Sequence, residues 1–199
     1  LAFSAINNHD KVGIILFSDK IEGYIPPKKG REHVLYIVRQ LLTTEPRNKG
    51  TNMREAIRFL NRSARQKSIV FFLSDFIIEE GGTDAAGAGS GRKEERFEDA
   101  LKVAGKKHDV IGIKVYDKMD MQLPAMGMIE AEDSETGRRH WVDTDDYVVR
   151  TNYQQHFFDQ TELCKGIFQR AGSDLLHLRT DEDYVKILQR FFVGRHRPA

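Results

Sequence analysis

The residues best placed to do chemistry are Ser74-Asp75, at the end of the apolar run Ile69-Val70-Phe71-Phe72-Leu73, and Gly50-Thr51, which opens the helical pattern just before that run. A carboxylate at the carboxyl end of a buried parallel strand stands where open α/β sheets bind their ligands. Thr51 and Asp75 both offer hard oxygen donors, and a divalent cation is the ligand such donors suit. The same residues suit a plainer role. Thr51 or Asn52 is also placed to cap the helix that follows, with Glu55 as the capping-box partner three residues after Asn52, and Asp75 is placed to cap a turn. Asp19 and Asp117 likewise follow apolar runs, but Asp19-Lys20 reads as a turn into the next strand and Asp117 as an acidic loop residue, so neither is assigned as a ligand.

Other chemistries find little support. None of the seven histidines falls in a His-x-x-x-His or Cys/His spacing, and His177 reads as a hydrogen-bonded core residue, so no zinc site is expected. Ser18 and Ser74 lack the Gly-x-Ser-x-Gly elbow of a serine nucleophile. Cys164 sits on the apolar stripe of a helix, where packing is the expected role. The run Gly81 to Gly91 lacks the Gly-Lys-Ser/Thr ending of a phosphate-binding loop and reads as a flexible surface loop. Trp141 reads as packing against the domain, with anchoring of a partner as the alternative.

The elements that must position these residues follow from hydropathy. Val12 to Phe17, Ile69 to Leu73, Val110 to Val115 and Leu175 to Leu178 are near-continuous apolar runs, the pattern of strands covered on both faces. Helical stripes separate them: Val34, Leu35, Val38, Leu41 and Leu42; Met53, Ala56, Ile57, Leu60 and Ala64; Phe97, Ala100, Leu101 and Ala104. Leu163, Ile167 and Ala171, flanked by Cys164 and Phe168, continue the series, and Val185, Leu188 and Phe192 close it. Strands alternating with helices predict a doubly wound α/β sheet, with all four runs parallel in one sheet and helices on both faces. Ile21 to Ile25, ending in Pro26-Pro27, is expected as an antiparallel edge strand. Met128 to Glu132 and Arg139 to Asp143, around Asp133-Ser134-Glu135-Thr136-Gly137, are expected as a projecting hairpin. Leu1 to Ile6 reads as the last turns of a helix ending near Asn7-Asn8.

The bulk numbers bound the rest. A chain of 199 residues with 40% hydrophobic content can bury a sizeable core, and the length suggests one domain. Lys and Arg number 31 against 30 Asp and Glu, a net charge of +1, so no global field draws nucleic acid or an acidic membrane. The basic tail Arg195-His196-Arg197 reads as a solvated terminus. A single cysteine excludes an internal disulfide and fits a cytoplasmic setting. No apolar run approaches the roughly 20 residues that span a bilayer.

Asp10-Lys11-Val12-Gly13-Ile14-Ile15-Leu16-Phe17-Ser18-Asp19, then Pro27-Lys28-Lys29-Gly30-Arg31, Gly50-Thr51 and Phe72-Leu73-Ser74-Asp75-Phe76, resemble the von Willebrand factor A-type domain of the domain of unknown function 58 (DUF 58) family. The resemblance extends through Asp133-Ser134-Glu135-Thr136-Gly137 and Thr180-Asp181-Glu182-Asp183-Tyr184. It implies one von Willebrand factor A-like α/β domain over residues 1–199, a doubly wound, mostly parallel sheet with an inserted hairpin. It also implies an interaction module rather than an enzyme, partnered with a MoxR-type AAA+ ATPase or its client in chaperone or maturation work. Such domains hold Mg²⁺ or Mn²⁺ at a metal-ion-dependent adhesion site, and the resemblance maps its threonine onto Thr51 and its last aspartate onto Asp75. The site's Asp-x-Ser-x-Ser turn has no counterpart here; in the family it precedes the helix whose tail is Leu1 to Asn8. The expectation is therefore a site completed in a longer chain, with the first central strand missing, and poor metal binding by these residues alone. That missing strand would leave edges that close by direct pairing of Val12–Phe17 with Ile69–Leu73 or are covered by another chain. The alternative is a metal-dependent hydrolase or a phosphoacceptor domain using Asp75. The receiver form of that alternative is disfavoured because Lys114 lies inside its strand rather than after it.

Overall fold

The computed structural model of the chain describes residues 1–47, 50–77, 93–133 and 137–195, with residues 93–96 described by their backbone alone. The glycine-rich run from Gly81 to Gly91, the hairpin residues 134–136 and the tail beyond Arg195 lie outside the described residues. The described chain divides into two compact units, Leu1–Ser63 and Ala64–Ala199.

The first unit comprises helix α1 (Ala2–Asn7), strands β1 (Val12–Phe17) and β2 (Ile21–Lys28), and helices α2 (Arg31–Thr43) and α3 (Met53–Ser63). β1 and β2 form an antiparallel pair, with Ile14 opposite Ile25 and Leu16 opposite Gly23. The reversal is closed by the Ser18 amide donating to the Lys20 carbonyl at 2.8 Å. The expected edge strand is thus present and runs on through Pro26-Pro27. The expectation that Val12–Phe17 lies in one parallel sheet with the other three runs is corrected, as is its direct pairing with Ile69–Leu73. β1 pairs with β2 and belongs to a different unit. The three-residue reversal gives β1 its antiparallel neighbour at once, and an apolar run specifies burial without specifying a parallel partner.

The α2 stripe also needs correction. Val34 and Ile37 are the buried residues, at 1% and 2% exposure, while Leu35, Leu41 and Leu42 stand 46%, 52% and 82% exposed. The inward row runs 34, 37, 38 at helical spacing, and Leu35 and Leu42 each lie one residue, about 100°, off it. On α3 the expected stripe holds for Met53, Ala56 and Ile57, and the helix ends before Ala64.

The second unit holds β3 (Ile69–Ser74), α4 (Lys93–Lys107), β4 (Asp109–Tyr116), α5 (Lys118–Met121), the hairpin β5 (Met128–Glu132) and β6 (Arg139–Asp143), α6 (Tyr147–Arg170), β7 (Asp174–Arg179) and α7 (Tyr184–Arg195). Three strands form a parallel sheet in the order β3-β4-β7, so three of the four expected runs share one sheet. Phe71 and Phe72 point to opposite faces of β3. Phe71 meets Phe192 of α7 with ring centroids 6.1 Å apart, and Phe72 meets Phe97 of α4 at 6.0 Å, so helices cover both faces.

Between α4, α6 and the sheet lies an aromatic core of Phe72, Phe76, Phe97 and Phe168. Gly112 of β4 lets the Phe168 ring settle there, since a Cβ at that position would fall 2.5 Å from its Cε1 and Cζ. Only β4 is buried throughout its middle; β3, an end strand of the sheet, leaves Ile69 61% and Leu73 53% exposed. Of the odd-numbered face of β3, the α7 ring reaches only the centre, so a continuous apolar run here does not mean full cover. The hairpin matches its expected bounds, and Thr144 ties it to α6: its hydroxyl donates to the Gly127 carbonyl at 2.7 Å, and its carbonyl accepts from Arg150 at 2.6 Å.

Candidate functional site

The carboxyl end of the parallel sheet collects the polar side chains. In register, Ser74 of β3 lies opposite Lys114 of β4, which lies opposite His177 of β7. The chain leaves β3 through two nested side-chain turns. The Ser74 hydroxyl oxygen accepts from the Phe76 amide at 3.1 Å, and Asp75 Oδ1 accepts from the Ile77 amide at 3.4 Å and from the Ser74 hydroxyl at 3.2 Å. Phe76 adopts φ of 50°, a conformation a bulky side chain avoids. Its ring is wholly buried and packs edge-on against Phe72 at 5.3 Å and Phe168 at 5.2 Å, and that packing holds the strained residue. Asp75, between these anchors, stays exposed.

Beneath the turn lies a residue whose role sequence reasoning missed. Lys114 is 3% exposed, and its ammonium donates to the Asp75 carbonyl and faces the Phe157 ring, 5.5 Å from the centroid. Burial pushes its pKa down, while the fields of Cys164, Asp75 and Asp120 pull it back. The signal was visible as a lone lysine within the run Val110 to Val115. Burial also lowers His177, reinforced by Lys114, and drives the Cys164 thiol up to about 12. Cys164 is wholly buried, in keeping with a packing role.

Asp117 caps α5, accepting from the Met119 amide at 2.9 Å, while Asp120 returns to the Asp117 amide at 2.6 Å as a full capping box. Asp117 also accepts from the Thr180 hydroxyl at 2.9 Å, and these hydrogen bonds, Met119 first, lower its pKa. Its carboxylate is committed to structure.

The structure places Thr51 in the first unit and Asp75 in the second. Thr51 is exposed just ahead of α3, and Asn52 supplies the cap there: its Oδ1 accepts from the Glu55 amide at 3.0 Å. Glu55 turns instead to Arg62 at 2.6 Å. The Asn52 amide donates to the Ser18 carbonyl at 2.8 Å, which sets Thr51 beside the reversal that ends β1. Asp19, in that reversal, lies 3.5 Å from where a Gly50 Cβ would stand and takes the turn role expected of it. By donor type Thr51 and Asp75 fit a hard cation, since Thr51 is not the cap and Asp75 Oδ2 accepts nothing among the described residues. Among those residues no three His, Cys, Asp or Glu side chains gather closely enough to hold a metal ion. No helix there is long and apolar enough to cross a membrane.

A sequence-family model described as "Protein of unknown function DUF58" matches residues 1–163. An uncharacterized protein of Mycobacterium bovis is 25% identical over 198 residues, covering 96% of this chain and 56% of its own length. One from Mycobacterium avium is 26% identical over 179 residues, covering 88% of this chain and 95% of its own. The chain therefore spans about half the length of the first of these relatives, 56%. Among solved structures, the conserved hypothetical protein BatB from Bacteroides thetaiotaomicron aligns with a TM-score of 0.48 at 15% identity, over 98% of this chain and 84% of its own. An aerotolerance-related membrane protein from Bacteroides fragilis aligns with a TM-score of 0.49 at 14% identity, over 93% of this chain and 79% of its own.

Proposed function

The chain belongs to the DUF58 family, and from that premise we propose that it is a von Willebrand factor A-like protein-interaction module. The observation that carries this reading is the exposed Asp75 carboxylate, held in a side-chain-locked turn at the carboxyl end of a parallel strand, where α/β sheets present their ligand sites. By donor type Thr51 and Asp75 each suit Mg²⁺ or Mn²⁺, and such a cation with an open coordination position would accept a partner's carboxylate. The proposed partner is a MoxR-type AAA+ ATPase or its client, in chaperone or maturation work. The cytoplasm is the proposed setting, on the strength of the single unpaired cysteine. Self-association through the β3 edge fits its exposed Ile69 and Leu73.

The test is binding of the full-length protein to a purified MoxR-type ATPase, with and without a chelator. Binding that is lost with chelator and with Asp75→Ala is expected. Metal-independent binding that Asp75→Ala leaves untouched would overturn the reading.

The buried Lys114 beside Asp75 gives the phosphoacceptor alternative one observation in its favour. Against it, the nearby Asp117 and Asp120 carboxylates are spent on capping α5. Incubation with a small phosphodonor, followed by mass measurement, separates the two, because an interaction module gains no phosphate.

A further inference from the structure

Side chains alternate along a strand, so the β5–β6 hairpin has two unlike faces. Ile129 and Val142, opposite one another, are half-buried, whereas Met128, Glu130, Glu132, Arg139, Trp141 and Asp143 are all exposed on the other face. Trp141, expected to pack against the domain, stands 68% exposed there, with Met128 diagonal to it at 63%. Among the described residues its ring pairs with no other ring and covers no cation, and its indole N–H has no acceptor. Single exposed apolar residues are ordinary, but a tryptophan carries one of the largest apolar surfaces of any side chain, and every position on this face except these two is charged. The support is fixed, since the buried Thr144 ties the hairpin base to α6 through Gly127 and Arg150. A ring held in place in this way loses little freedom when something covers it.

The charges around the ring select what covers it. Glu130 lies directly opposite Trp141, which puts their Cβ atoms about 5 Å apart. Arg139 takes Glu132 at 2.8 Å and reaches Glu130 only at 3.8 Å, so Glu130 keeps most of its capacity to pair. Asp143, two residues beyond Trp141 on the same face, accepts from the Asp145 amide through Oδ1 and has no basic partner among the described residues. Glu130, Glu132 and Asp143 against Arg139 leave the face with a net charge of −2. Asp145 and Asp146 extend the acidic run toward α6, bonded to the backbone amides of Gly127 and Val148 rather than to bases. An acidic partner is repelled by such a face. A cation over the indole is drawn both by the ring's negative face and by the carboxylates beside it, and a planar guanidinium can stack on the ring and donate to a carboxylate at once.

We propose that the outer face of this hairpin is a docking surface for a basic, arginine-bearing segment of a protein partner, with the guanidinium stacked on Trp141 and paired with Glu130 and Asp143. Met128 supplies an adaptable apolar neighbour for that segment. The contact needs no metal and shares no residue with the Asp75 turn, so it stands or falls independently of the reading above.

Trp141 is the single tryptophan of the chain, and its emission reports directly on this face. The 199-residue chain is titrated with a short fluorescein-labelled peptide of alternating arginine and leucine, and with its counterpart carrying glutamate in place of arginine, at matched ionic strength. A saturable change in Trp141 emission with the arginine peptide alone is expected, unaltered by chelator and by Asp75→Ala. By peptide anisotropy, Trp141→Ala should weaken binding about tenfold or more, and Glu130→Gln/Asp143→Asn about fivefold to tenfold. Asp159→Asn/Glu162→Gln, the same change of charge made on the exposed side of α6, should leave the affinity within about twofold. Four results overturn the proposal: no saturable change; affinity undiminished in Trp141→Ala; an equal loss in the α6 variant, which would mean general charge attraction; or an emission change on concentrating the chain alone with a dimer by light scattering, which would make the occupant a second copy.

Discussion

Glu98 offers the sharpest quantitative test of how the second unit is held together. It sits on α4 and accepts from Arg170 of α6 through Nε at 3.0 Å and Nη2 at 2.7 Å, while Lys102 approaches it at 2.7 Å. The Arg170 hydrogen bonds, then that of Lys102, hold its carboxyl down from 4.5 to about 2, against the opposing effect of burial. At face value a depression of that size is worth about 3 kcal/mol at neutral pH. Glu98 is only 13% exposed, but Arg170 and Lys102 are 56% and 43% exposed, and solvent screening reduces the figure to about 1–2 kcal/mol. Because the folded pKa is depressed, the contribution is fully present above the unfolded value near 4.5 and is lost as pH falls through the folded value near 2. Glu98→Gln should therefore lower stability by about 1–2 kcal/mol at pH 7, with the deficit shrinking between about pH 5 and pH 2. Urea titration followed by hydrogen exchange at the β4 amides reads this in the right unit. A deficit of the same size at both ends of that range would refute the electrostatic argument and leave only lost packing.

Three further outcomes follow from particular contacts. Gly112→Ala should cost about 1–3 kcal/mol, read as a lowered Tm, because the new methyl would meet the buried Phe168 ring 2.5 Å away and that ring is held on several sides. Asn52→Ala should destabilise the first unit by about 1 kcal/mol in denaturant titration through loss of the α3 cap, whereas Thr51→Ala should leave stability within about 0.5 kcal/mol. Calorimetric titration of the 199-residue chain with Mg²⁺ should show little heat, since Thr51 and Asp75 are a partial donor set; tight binding abolished by Asp75→Ala would mean that other residues complete the site.

What the sequence revealed depended on whether the deciding interaction was local. The hairpin bounds at Met128–Glu132 and Arg139–Asp143 were legible because alternation and turn residues set them within a few positions. The α4 stripe was legible for the same reason, and Phe97, Leu101 and Ala104 are all buried. The partner of β1 was not, because an apolar run specifies burial but not which edge it joins, and the short reversal at Ser18–Lys20 decided it. In α2 six aliphatic positions compete for one inward face, and hydrophobicity alone did not separate Ile37, which is buried, from Leu42, which is not. At the candidate site the sequence left Thr51 and Asn52 as rival caps, and the choice rests on a single hydrogen bond from the Glu55 amide.

Lys114 shows why the site's geometry was the least legible part. A lysine inside an apolar strand would be expected to lose its charge or to be driven out to solvent, because burying an unpaired ammonium costs several kcal/mol. Here the register fixes a third outcome: Ser74 lies directly opposite it, so the Asp75 carbonyl, one residue beyond, comes within reach of its amine. That contact requires the chain to turn sharply after β3. Phe76 completes the turn in its left-handed conformation while sending its ring back into the Phe72 and Phe168 cluster. The buried ammonium and the buried ring thus hold the turn from its two sides and leave the Asp75 carboxylate as the group turned to solvent. An aspartate after a strand is legible as a candidate ligand; its rigid presentation depends on a lysine 39 positions later in the chain, which no local pattern encodes.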